Sequence, residues 1–217
     1  MALVAAAPRP GRHEEAVNSL THGLGLVLAT VGLVALAVAA ARHGTARAFV
    51  GCVVFGTTLV FLYASSTLYH AVPHARAKAV LRVFDHSAIF LLIAGTYTPF
   101  TLVSLWGPWG WTLFGVVWSL ALGGIALRLA LRRRPTALFV SLYLGMGWCV
   151  VVAAKPLLAA VAPGGIALLA AGGLAYSVGV VFYVWRSLSY AHAIWHGFVL
   201  TGSAFHYAAV LLYVARA

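Results

Sequence analysis

The chain has 217 residues, of which 63% are hydrophobic and only 8% charged, where ordinary soluble domains carry roughly 25% charged residues. With a mean hydropathy of +0.99, this composition excludes a water-soluble globular domain and specifies an integral membrane protein. Fourteen Lys and Arg against three carboxylates, Glu14, Glu15 and Asp85, give a formal charge of +11; the basic residues fall between apolar runs, so the charge reads as membrane topology with some attraction to anionic headgroups, and not as nucleic-acid binding.

Residues 1–18 are expected to form a cytoplasmic tail with a short amphipathic lead-in. The apolar start is broken by Pro8 and Pro10 and lacks the basic, then apolar, order of a signal peptide. From residue 19 to 217 the chain reads as one transmembrane domain. A spanning helix needs about 20 mostly apolar residues. Spans are predicted at 22–41, 48–70, 85–105, 110–128, 136–156, 165–185 and 189–213. The uncharged run 87–127 is too long for one helix, and "SLWGPWGW" divides it at Gly107 and Pro108, with three Trp suited to a membrane interface. "APGG" at 162–165 divides the fifth span from the sixth. The expected architecture is an all-α, seven-helix bundle, since a helix satisfies its own backbone hydrogen bonds in lipid and the alternation of a barrel is missing. Cys52 and Cys149 lie inside apolar runs and read as small buried hydrophobes.

Seven spans sort the basic residues unequally. Arg9, Arg12, Arg76, Lys78, Arg82, Arg128, Arg132, Arg133, Arg134 and Arg186 fall on the N-terminal side, and Arg42, Arg47, Lys155 and Arg216 on the other. That excess predicts a cytoplasmic N-terminus and an external C-terminus.

The same topology places polar residues in one slab. His70 ends the second span, Asp85 and His86 open the third, and His192 and His196 open the seventh. His192 and His196, four apart, share a helix face, as do Ser66 and His70. His192, His196 and His70 together supply three imidazoles at matching depth, the donor set of a catalytic-type Zn²⁺ site with a fourth position open. Asp85 either binds the ion directly or hydrogen-bonds its water or a ligand imidazole. For the His192 and His196 pair alone, interhelical hydrogen bonding and metal binding are about equally good readings, and the convergence with His70 and Asp85 favours a metal. His22, following Thr21, is expected to serve as a helix cap. His206 lies about 15 Å deeper than His196 at the helical rise and reads as a core or pathway residue. His13, His43 and His74 are expected to be solvated, and His86 either to support the metal ligands from behind or to lie at an interface, and not to bind the ion. Gly95 and Pro99 are expected to bend the third span.

The combination of Ser66 and His70, Asp85, and His192 and His196, within "EEAVNSLTHGLG", "LYASSTLYH", "FDHSAIFLLIAGTYTPF" and "HAIWHGFVLTGSAFHY", resembles the progestin and adipoQ receptor family, above all its bacterial hemolysin III branch. It is also similar to the pattern of the alkaline ceramidases. The resemblance runs from Glu14 to about Tyr213. It implies seven helices with a cytoplasmic N-terminus in a bacterial inner membrane, and a zinc ion held by His70, His192 and His196 with Asp85 and Ser66 around it. It further implies a hydrolase of lipid amides or esters linked to membrane-lipid homeostasis, with membrane lipid as its partner. The alternatives are a pore-forming cytolysin and a membrane-state sensor with a structural zinc. Oligomeric state is not specified.

Overall fold

The computed structural model describes residues 11–131, 134–185 and 187–216. Arg9, Arg132, Arg133 and Arg186 of the charge count lie outside them. Among the described residues the chain forms seven helical rods: α1 (Arg12–His43), α2 (Ala46–Ala71), α3 (Ala75–Ser104), α4 (Pro108–Ala130), α5 (Thr136–Ala160), α6 (Pro163–Val184) and α7 (Ala191–Tyr213). The first six are long and apolar enough to cross a membrane. The seventh has 23 residues and is less apolar because it carries His192, His196 and His206. The chain is therefore an all-α, multi-pass membrane protein.

Five rods lie within a few residues of the expected spans. α1 and α3 each begin ten residues earlier than expected: α3 starts at Ala75, and α1 at Arg12, so residues 12–18 of the expected tail are helical. Its buried residues explain why. Asn18, His22, Gly25, Ala29, Gly32, Leu36 and Ala40 recur every three or four positions, one continuous face from the first turns to the last. The opposite face, including Leu20, Leu24, Val27, Val31 and Val34, is exposed, as a lipid-facing surface requires.

Short connections make neighbouring rods antiparallel. The first turns of α1, α3, α5 and α7 therefore share one end with the last turns of α2, α4 and α6. α2 packs between α1 and α3, and α7 between α1 and α6; α5 closes the circle by touching α3 and α6, while α4 lies against α3. The core between α1, α2 and α7 is fully buried at Leu36, Phe55 and Val210. A second cluster, Phe90, Val117, Phe139 and Met146, joins α3, α4 and α5.

Close packing in lipid depends on small residues, because lipid tails are as apolar as the side chains they would replace. Gly95 illustrates this. A Cβ there would collide with the Thr58 hydroxyl of α2, so its role is close approach. Pro99 has the local effect instead: a π-helical turn, Phe100–Ser104, follows it. Gly107 turns the chain between α3 and α4 at φ 119°, a backbone conformation that a side chain disfavours. Within α5, a 3-10 stretch over Cys149–Ala153 is served by Tyr97, whose hydroxyl accepts from the Val150 N–H at 2.9 Å and faces the carbonyls of Met146 and Gly147, both at 2.9 Å. At the end opposite the histidines, Trp106, Trp109 and Trp111 are exposed, and the Arg47 guanidinium lies 4.0 Å over the Trp106 ring, consistent with an interfacial belt. Cys52 is buried and Cys149 half-buried, and both are free thiols.

Candidate metal centre

The last turn of α2 and the first two turns of α7 bring His70, His192 and His196 together. One ring nitrogen from each lies within 4.8 Å of the others. The ring centroids are 5.0 Å apart for His70 and His192, 5.2 Å for His70 and His196, and 4.5 Å for His192 and His196. The i, i+4 spacing on α7 stacks two imidazoles on one face, and the antiparallel course of α2 delivers the third.

Hydrogen bonds fix which nitrogen two of these rings can offer. His70 Nδ1 lies 2.7 Å from Glu15 Oε2. A carboxylate only accepts, so Nδ1 carries the proton, and Nε2, buried without a partner, keeps its lone pair. His196 Nδ1 lies 3.2 Å from the Asn18 carbonyl oxygen and 3.2 Å from Thr21 Oγ1. The Thr21 hydroxyl gives its own proton to the Val17 or Asn18 carbonyl, each at 2.9 Å. His196 Nδ1 therefore donates too, and its Nε2 is left for an ion. This is the arrangement by which outer partners orient metal-binding histidines and raise their basicity. A buried His70 nitrogen with no partner, in an all-imidazole donor set, fits a zinc-type ion; the identity of the ion rests on chemistry alone.

Glu15 has a second tie, to Lys78 Nζ at 3.0 Å, and Lys78 lies 4.9 Å over the Tyr69 ring. Its neighbour Glu14 accepts from the Tyr190 N–H at 2.9 Å. Tyr190 caps α7 in the left-handed conformation, φ 58°. The first turn of α1 therefore holds both the ring of His70 and the start of the helix that carries His192.

The remaining predicted residues are placed as follows. Asp85 Oδ2 lies 3.2 Å from His86 Nδ1, which also faces the Arg82 carbonyl at 3.0 Å. Asp85 is an electrostatic neighbour of His70 and His192. Ser66, one turn from His70 on α2, is buried, and its hydroxyl has no hydrogen-bond partner among the described residues. His86 lies between α3 and its neighbours: its carbonyl accepts from the Tyr143 hydroxyl at 2.9 Å and its Nε2 is 3.4 Å from the Tyr183 hydroxyl. His206 stands apart, with Nε2 3.2 Å from the Leu169 carbonyl. His13 and His43 are exposed; His74 is exposed too and caps α3, accepting from the Ala77 N–H at 3.4 Å.

His22 is not a cap. It lies in the interior of α1, 3% exposed, and its ring stacks on His196 at 3.4 Å and 12°. Neither of its ring nitrogens has a hydrogen-bond partner among the described residues. Glu14, Glu15 and Asn18 were likewise not foreseen as site residues. The signal was present: Glu15, Asn18 and His22 follow the three- and four-residue spacing that pairs Ser66 with His70, and extending that rule backwards carries α1 to Glu14.

A cavity of about 710 Å³ opens at this end of the bundle, lined by His70 and His192 together with Tyr69, Lys78, Arg82 and Tyr183. An apolar chamber of about 120 Å³, lined by Leu92, Ile93, Leu144, Val180 and Val199, also reaches Tyr183.

Residues 11–207 match the family model described as Haemolysin-III related. Hemolysin-3 of Bacillus cereus is 47% identical over 201 residues, covering 93% of this chain and 92% of the relative. The Hemolysin-3 homolog of Bacillus subtilis (strain 168) is 47% identical over 203 residues, covering 94% and 95%. The monocyte to macrophage differentiation factor of Homo sapiens is 30% identical over 222 residues, covering 96% and 87%. A match of this extent, over a chain of the expected helical architecture, means that the protein belongs to the haemolysin-III related family.

Proposed function

We propose that this chain is a zinc-dependent hydrolase of lipid amide or ester bonds, held in the bacterial inner membrane with its N-terminus in the cytoplasm. The observation that carries the reading is the His70, His192 and His196 group, with nitrogens within 4.8 Å of one another and the Nδ1 atoms of His70 and His196 engaged by Glu15 and Asn18. A zinc ion there supplies a Lewis acid that polarises a carbonyl and lowers the pKa of water.

The chain's own residues account for the rest. Glu15 and the Asn18 carbonyl hold two imidazoles in the tautomer that offers Nε2. Asp85, a near electrostatic neighbour of His70 and His192, receives the proton released by the attacking water and passes it to the leaving amine or alkoxide. The Ser66 hydroxyl, which has no other partner, donates to the oxygen on which negative charge develops. The polar cavity takes the headgroup junction, and the apolar chamber that shares Tyr183 takes part of an acyl chain. The scissile bond of a lipid lies at such a polar–apolar junction, and the substrate enters laterally from the bilayer.

The test is turnover by purified, metal-analysed protein offered ceramides and acyl-ester lipids. Release of fatty acid that disappears in His196→Ala and in Asp85→Asn supports the reading; no release from any acyl lipid by zinc-loaded protein contradicts it. A second reading, a pore-forming cytolysin, takes its support from the name of the relative in Bacillus cereus, Hemolysin-3. Ion conductance in liposomes that survives zinc removal is the result that favours it.

A further inference from the structure

Arg128, in the last turn of α4, is 4% exposed, and its Nε is buried without an acceptor among the described residues. Its guanidinium lies 4.8 Å over the Phe139 ring, with Tyr143 and Tyr183 as further neighbours. Its charged neighbours, Arg134 and Arg82, have the same sign. Arg134 is drawn over the end of α4 because its Nε donates to the Arg128 carbonyl at 2.8 Å. A lone arginine at a helix C-terminus is favoured by the helix dipole, but that effect does not gather three guanidinium groups, one of them buried.

Among the described residues no carboxylate pairs with this group. The chain contains three side-chain carboxylates, and each is engaged elsewhere: Glu14 by the Tyr190 N–H, Glu15 by His70 and Lys78, and Asp85 by His86. A buried cation is stable when it is paired, so an anion from outside the chain is the missing partner. The cluster lies at the end of the bundle where the helices leave the apolar layer, the level of lipid headgroups. Phosphate is the anion abundant at that level, and the arginine fork matches its oxygens. Arg82 and Arg134 are exposed, so a headgroup has access. Arg82 also lines the cavity that leads to His70 and His192.

We infer that Arg128, Arg82 and Arg134 form a binding site for the phosphate of an anionic membrane phospholipid, beside the mouth of the histidine cavity. The site stands independently of whether the chain hydrolyses lipid. In nonionic detergent, the full-length protein is titrated with phosphatidic acid, with diacylglycerol of the same acyl chains and with inorganic phosphate. Thermal unfolding and native mass spectrometry read the binding.

Phosphatidic acid raises the melting temperature of the wild type and remains bound in the gas phase; diacylglycerol does neither. In Arg128→Gln the half-saturating concentration rises about tenfold, the effect of losing a charge-assisted pair. Arg82→Gln and Arg134→Gln, at exposed positions, weaken binding in the same direction and serve where Arg128→Gln fails to fold. Arg47→Gln, the same charge change at the opposite end, leaves it unaltered. Equal stabilisation by diacylglycerol, wild-type affinity in the Arg82 and Arg134 variants, or saturation by inorganic phosphate that phosphatidic acid does not displace would each overturn the inference.

Discussion

Glu15 does two things at once. It fixes the Nδ1 proton of His70 at 2.7 Å and pairs with Lys78 at 3.0 Å. Replacing it by Gln keeps the shape but removes the charge that makes the imidazole more basic. Zinc affinity in Glu15→Gln is expected to fall by roughly 10–100-fold, the usual effect of losing a partner to a metal-binding histidine, measured by chelator competition. His22 calls for the opposite outcome. Its ring stacks on His196 but is not among the three whose nitrogens converge. His22→Leu is therefore expected to retain zinc at wild-type stoichiometry while losing stability, and loss of the ion would make it a fourth ligand. The hydroxyl of Ser66 and the carboxylate of Asp85 belong to chemistry in the proposed mechanism, so Ser66→Ala and Asp85→Asn are expected to lower turnover without emptying the site.

Elements differ in how plainly their residues declared them. The α2 and α4 to α7 spans were legible because apolar runs of the right length end at charges or at Gly and Pro, as at Gly107–Pro108 and at 162–165; the first ten residues of α3 were not, because Arg76, Lys78 and Arg82 interrupt the apolar run there. The three-histidine group was legible because i, i+4 spacing on α7 and the antiparallel course of α2 are enough to place His70 beside His192. The start of α1 was not. Its first turns are polar, and a hydropathy reading discards Glu14, Glu15 and Asn18 as tail, although their spacing continues the buried face of the helix. The partners of Asp85 were not legible either, since the rotamer that turns it to His86 is a tertiary matter. Gly95 shows the same limit: a kink and a close approach look alike in sequence, and the neighbouring Thr58 decides between them. Gly95→Val is expected to destabilise the folded protein by about 1–3 kcal/mol through overpacking, measured by unfolding in mixed micelles. Gly123→Val, where a Cβ meets nothing within 4 Å, is expected to stay within about 0.5 kcal/mol of the wild type.

For the whole molecule, the seven rods of the described residues run in antiparallel sequence and put Arg12 and Tyr213 at opposite ends, with His70, His192 and His196 at the Arg12 end. The proposed topology, read from the excess of basic residues, has that end in the cytoplasm. A cysteine placed at Arg12 in a background lacking Cys52 and Cys149 is expected to resist a membrane-impermeant thiol reagent in intact cells, and one at Arg216 to react; the reverse pattern would invert the topology. The central claim is that helices far apart in sequence meet around one ion. It is tested most directly by metal analysis of the purified protein, wild type beside His192→Ala. About one zinc per chain is expected in the wild type, as for a single three-histidine site, with the ion lost from a variant that remains folded. A wild type purified without zinc from zinc-replete cells, or a His192→Ala protein that keeps a full equivalent, would contradict it.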